Sequence, residues 1–207
     1  MTHLVNNAED FADQALDGLV AAHSGYVRKV HGGVVRATQT EPGQVAVVIG
    51  GGTGHYPAFA GWVGPGLAHG AACGNIFASP SASQVYSVLK AANRGGGILL
   101  SFGNYTGDVL HFGQAAERVR AEGIDVRILP VTDDVASAPR AERDRRRGIA
   151  GDLAVFKVAG AAAEEAMSLD DVERVAQRAN DRTMGVSFSG CTLPGADHPL
   201  SPSPTAR

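Results

Sequence analysis

The stretch VVIGGGTGHYPAFAGW runs from Val47 to Trp62, and four of the five positions from Gly50 to Gly54 are glycine. The residues just before them are β-branched and apolar, the pattern of a strand buried on both faces. Glycine loses more backbone freedom on folding than any other residue, so a cluster of it at a strand end marks a place where the backbone must be bare. His55 follows at once. An imidazole beside bare peptide groups is a candidate contact for a small polar ligand. The plainer reading is that His55 only closes the turn.

The common phosphate-binding patterns do not fit this turn. G-x-G-x-x-G needs its third glycine for close helix packing, and counting from Gly50 or from Gly52 puts His55 or Pro57 there. A P-loop needs a lysine after its last glycine, and none follows.

Outward from this point, helix and strand patterns alternate. Residues 6–23 predict a helix capped by Asn6 or Asn7, with Phe11, Leu16, Leu19 and Val20 on its apolar face. Gln44 to Gly50 predicts a strand. Ser79 as N-cap and Pro80 at the first position predict a helix that closes at Gly95. Gly97 to Phe102 predicts the next strand, then a turn, then a helix starting at Asp108 and stopped by Gly123. A third strand falls within 124–131, and a charged loop carries Arg145, Arg146 and Arg147. An alanine-rich helix over 149–166, a helix capped by Ser168 and a strand over 184–190 complete the pattern. Trp62 and Phe77 read as core.

Strands alternating with helices through short turns define an α/β fold: three layers, α/β/α, around a mainly parallel sheet. Ligands in such sheets sit beyond the carboxyl ends of the strands. Gly50 to His55, Gly103 to Asp108 and Thr132 to Asp134 all fall at those ends. Neighbouring strands would set them on one rim. Asp108 and His55 there form a candidate acid/base pair for activating a hydroxyl. Each also has a simpler use, since a carboxylate in a first helical turn is favoured by the helix dipole. Asp133 and Asp134 read more simply as caps than as metal ligands, the arginine run as a solvated loop, and His111 as a helix-face residue.

Composition bounds the function. The chain has 207 residues, 44% hydrophobic and 19% charged, the balance of a folded globular protein. A net charge of -3 supplies no basic field for nucleic acid or an anionic membrane. No apolar run approaches the ~20 residues that span a bilayer. The opening MTHLVNNAEDFADQ has neither the basic nor the apolar region of a signal peptide. Cys73 and Cys191 form no C-x-x-C and read as buried thiols in a reduced, cytoplasmic setting. Three prolines in the last nine residues suggest an extended tail, so the expected division is an α/β domain over 1–187 and a tail, or the start of a second domain, over 188–207.

Several long motifs, in order, resemble one family. GGGTGHYPAFAGWVGPG, CGNIFASPSASQVY, NYTGDVLHF, TDDVA and RRGIAGDLAVFKVAGAAAE are similar to the substrate-binding K (DhaK-like) portion of dihydroxyacetone kinases. The resemblance covers roughly Leu4 to Pro194. It implies the N-terminal domain of a K subunit, which binds a short ketose whose terminal hydroxyl is phosphorylated. The phosphoryl donor, ATP with Mg2+ or an ADP-linked group, would sit on a separate L-type kinase domain, so no cofactor or metal is expected on this chain. By motif match, Gly51, Gly52, Thr53, Gly54, His55, Gly103, Asn104 and Asp108 would contact substrate, with Asp108 as general base and His55 as a hydrogen-bonding partner. The resemblance also implies pairing as a homodimer.

Two departures follow. The family's histidine that bonds covalently to the ketone carbon lies in a GIHGEP stretch, which is not present; His198 lacks that context. The chain by itself is therefore expected to be incomplete for catalysis, and a non-catalytic ketose-binding or regulatory module is the alternative. Second, Gly103 stands where many members carry lysine. The space this opens suggests a larger ketose, such as a tetrulose.

Overall fold

A computed structural model describes residues 6–186. The division after residue 187, Cys191, His198 and most of the strand expected over 184–190 lie outside the described residues. Along the chain come α1 (Phe11–Ala22), β1 (Val27–Val30), β2 (Gly33–Arg36), β3 (Ala46–Thr53), β4 (Gly70–Ile76), α2 (Ala82–Ala92), β5 (Ile98–Gly103), α3 (Thr106–Ala121), β6 (Val126–Val131), α4 (Gly151–Glu164) and α5 (Leu169–Arg182). The strands form one sheet in the order β1-β2-β4-β3-β5-β6. β4, β3, β5 and β6 run parallel to one another, while β1 and β2 add an antiparallel edge beside β4.

Both faces of the sheet are covered, for a reason visible in its strands. Side chains alternate across a strand. Val47, Ile49, Leu99, Leu129 and Val131 enter one core with Leu16 of α1, Val155 and Phe156 of α4, and Val172 and Ala176 of α5. Ala46, Val48, Ile98, Leu100, Phe102 and Val126 enter a second core with Val85, Val88 and Leu89 of α2 and Phe112, Ala116 and Val119 of α3. The Phe102 and Phe112 rings meet there with centroids 4.5 Å apart.

The strands β1, β2 and β4 were not expected. β1 and β2, four residues each, form a hairpin turned at Gly32, whose φ is +74°. β4 reads GAACGNI and has almost no β-branched residue. Its small residues are needed because α2 lies close: a Cβ on Gly70 would stand 2.9 Å from a methyl of Val88.

Several element ends also differ. β3 continues to Thr53, so Gly50, Gly51 and Gly52 belong to the strand and not to the turn after it. α1 starts at Phe11 after Asp10; the Asn7 side chain instead accepts from the Glu9 amide in a separate turn. α2 is capped by Ser81, not Ser79, through a capping box with Gln84. α3 begins two residues before Asp108 and places it in the first turn. Ser168 caps α5 as expected, accepting from the Asp171 amide. Cys73 is half-buried and forms no disulfide among the described residues, and burial of its thiol pushes its pKa up to about 12.

His69, at the start of β4, ties the sheet together. Its Nδ1 accepts from the Val47 amide at 3.1 Å. Its pKa is lowered from 6.5 to about 4, first by burial and then by the neighbouring Arg36 guanidinium. Between those pH values the unfolded chain binds a proton that the folded chain refuses, so folding stability is complete above pH 6.5 and falls as pH drops toward 4. The loss attributable to this ring is about 3 kcal/mol. Urea midpoints measured at pH 7 and pH 4.5 for the parent and His69→Gln, which keeps an acceptor, should show the smaller acid loss in the variant. Parallel acid profiles would count against this role.

Candidate functional site

Beyond the carboxyl ends of β3 and β5 lies an open cavity of about 550 Å3. Its walls come from the end of β3, the 54–62 loop, Gly103, the first turn of α3 and the 148–153 segment leading into α4. β3, β5 and β6 are neighbours, which sets their ends on one rim.

The β3 glycines make room for this arrangement. A Cβ on Gly50 would strike the Ala72 carbonyl and approach Phe112 to 3.0 Å. On Gly51 it would overlap the Phe59 ring, and on Gly52 it would lie 2.7 Å from the Ala78 nitrogen. Gly54 then turns the chain with φ +116°, a conformation only glycine adopts cheaply.

Of the residues expected at the site, Gly51, Gly52, Gly54, His55, Gly103 and Asp108 all line the cavity. Thr53 and Asn104 do not. The Thr53 hydroxyl donates to the Gly74 carbonyl at 2.6 Å, and Thr53 faces a second, apolar cleft of about 690 Å3 beside α1. The Asn104 amide donates to the Asp144 and Arg146 carbonyls at 3.0 and 2.7 Å, which pins the arginine loop.

His55 is exposed on the rim. Its ring meets Phe77 edge-on with centroids 5.1 Å apart, and Phe59 at 6.2 Å. Phe77 is 70% exposed, which corrects its reading as core. It sits in the turn after β4 with φ +48°, past the end of the sheet's cover, and its ring flanks the imidazole. Trp62 is half-buried, packing edge-on against Phe59 and Phe156 while also lining the cavity.

Asp108 is 9% exposed, and its Oδ1 has no hydrogen-bond partner among the described residues. Burial pushes its pKa up, while Ser79 and the imidazoles of His111 and His55 pull it back. A carboxylate raised in this way is a better proton acceptor than a solvated one. His111 is fixed by a 2.9 Å hydrogen bond between Nδ1 and the Pro80 carbonyl.

Asp133 and Asp134 act as caps, as their positions suggested. Asp133 is fully buried, and its two oxygens accept from the Ile149 and Gly151 amides at 2.7 and 2.9 Å. Asp134 accepts from the Ala136 amide and pairs with Arg147 at 2.9 Å. Thus the β6 end does not line the cavity; it holds the 148–153 segment that does. That segment brings in Gly148, Ile149, Asp152 and Leu153, which sequence reasoning missed. Asp152 lay inside a quoted motif, yet an acid in a first helical turn signals only a dipole preference.

An open cavity past the ends of parallel strands is where α/β proteins hold small ligands, and this chain is a protein of that class. The Dak1 domain family matches residues 17–205, so the chain belongs to the Dak1 family. It is 64% identical over 203 residues to an L-erythrulose 1-kinase of Mycolicibacterium smegmatis, covering 97% of this chain and 35% of that protein. It is 62% identical to an L-erythrulose kinase of Pectobacterium atrosepticum, covering 97% of this chain and 34% of that one. Among solved structures, the dihydroxyacetone kinase of C. freundii in complex with AMP-PNP and Mg2+ superposes with a TM-score of 0.83 at 36% identity, over 97% of this chain and 38% of that one. The chain therefore spans about a third of the length of these relatives. Among the described residues no helix is long and apolar enough to cross a membrane.

Removing the Asp133 cap tests how the third wall is held. Asp133→Ala strands the buried Gly151 amide and the half-buried Ile149 amide, at about 1–3 kcal/mol for a buried group and less for a half-buried one. Its urea midpoint should fall by the equivalent of about 3 kcal/mol, and Asp133→Asn, which keeps one acceptor, should fall less. Equal, small losses for both would show that the segment is held by other contacts.

Proposed function

We propose that this chain is the ketose-binding part of a kinase that phosphorylates a terminal hydroxyl of a short ketose, a tetrulose in preference to dihydroxyacetone. The observation that carries the reading is that Asp108, His55, Gly103 and the β3 glycines all line one cavity. The identity to erythrulose kinases supports the four-carbon substrate, as does the lack of a side chain at Gly103, which lines the cavity.

Phosphoryl transfer asks chiefly for positioning and for stabilisation of charge. In this reading the backbone at Gly51, Gly52 and Gly54 and the His55 ring orient the sugar. Asp108 would accept the proton of the attacking sugar hydroxyl as the sugar oxygen bonds to the transferred phosphorus and the bond from that phosphorus to the donor's leaving oxygen breaks. A nucleotide with Mg2+ on a separate L-type domain supplies the phosphoryl group. The same family resemblance supports pairing as a homodimer in the cytoplasm.

Ketose binding by the 207-residue chain is the direct test. Titrations followed by NMR should show erythrulose binding about fivefold more tightly than dihydroxyacetone, as one further hydrogen bond is worth ~1 kcal/mol. His55→Ala should weaken both sugars. Absence of ketose binding, or a clear preference for the three-carbon sugar, would overturn the assignment.

A further inference from the structure

Asp152 has no task in the reading above, and its surroundings are unusual. It is 6% exposed in the first turn of α4, and its Oδ1 has no hydrogen-bond partner among the described residues. Acids at this position ordinarily serve the free amides of the helix start. Here the Ile149 and Gly151 amides are already taken by Asp133. A buried polar atom without a partner is costly, so its retention points to a partner that arrives from outside.

The cavity shows where that partner would come from. Asp152 lines it together with Gly103, and a Cβ on Gly103 would stand 3.1 Å from the Asp152 Oδ2. Any longer side chain at 103 would press on this carboxyl or cover it; glycine leaves it open to the cavity. The neighbouring wall is largely apolar, made by Ile149, Leu153 and the Trp62 ring, with Tyr105 beside Gly103; Asp152 is the carboxyl on this side of the cavity.

We propose that Asp152 binds a ketose hydroxyl beyond the carbonyl, on the Gly103 side of the cavity, and so selects four-carbon over three-carbon sugars. This rests on the ketose-binding reading above. Erythrulose differs from dihydroxyacetone by one CHOH unit, and that unit supplies the additional group to be held. Burial, and the negative charges of Asp133 and Asp108, push the Asp152 pKa well above the ordinary carboxylate range. Either form of the carboxyl accepts from a hydroxyl, and the protonated form donates to one as well.

The test is the selectivity of the 207-residue chain, taken as the ratio of the Kd for dihydroxyacetone to that for erythrulose. Asp152→Ala should lower this ratio about fivefold, and Asp152→Asn, which keeps a donor and an acceptor, should restore most of it. A merely structural role would weaken both sugars alike and leave the ratio unchanged; that result, or no change in either affinity, overturns the proposal. Gly103→Ala narrows the same end of the cavity from the opposite wall and should also lower the ratio, which keeps the test decisive if Asp152→Ala fails to fold. If the parent chain binds neither sugar, the ketose reading itself falls and this proposal with it. Parent binding with an unchanged ratio in the variants overturns the role of Asp152 alone.

Discussion

The structure depends on a steric constraint at the end of β3. Over Gly50, Gly51 and Gly52 there is no room for a side chain, because the β4 backbone, the Phe59 ring and the Phe77–Ala78 backbone occupy the places where Cβ atoms would stand. That close approach brings the 54–62 loop and the turn after β4 against the end of β3. It also ends the strand in an open hollow. The β3–β4 register shifts between Gly51 and Thr53, so the regular ladder breaks where the cavity begins. A sheet end built this way gives up backbone entropy for space.

Charge is the second feature of the site. Asp108, Asp133 and Asp152 are all buried near one another. Asp133 is stabilised by two amides. Among the described residues, Asp108 and Asp152 each keep an oxygen without a partner, and both have raised pKa values with burial as the first cause. A fold selected for stability alone would not leave two such groups beside a cavity. Groups with perturbed titration in a cleft are instead characteristic of places where ligands bind and protons move.

Much of this was legible in the residues. The run ending in Ile49, the alternation of strands and helices and the Ser168 cap all carry local signals, and each appears in the fold. Where local signals were weak, the reading missed. β4 lacks β-branched residues, and the β1–β2 hairpin spans only four residues a side. Ser79 with Pro80 mimics a helix start, yet the reciprocal bonds of Ser81 and Gln84 place it two residues later. Phe77 is large and apolar, the usual signature of core; only its position past the end of β4 exposes it.

Local patterning by itself determined the α/β class, the order of most elements and the bare backbone near the end of β3, because hydrophobic period, caps and glycine clusters act over a few neighbouring residues. Tertiary structure alone decided which side chains share the cavity. Asp152 is 44 positions from Asp108 and 49 from Gly103 along the chain. They meet because β3, β5 and β6 lie side by side and Asp133 anchors the start of α4 across their ends. Thr53 and Asn104 carry the right chemistry in the sequence, but the pleat and the arginine loop turn their side chains to backbone carbonyls elsewhere. Such pairings arise from packing across the sheet, which no local run of residues encodes.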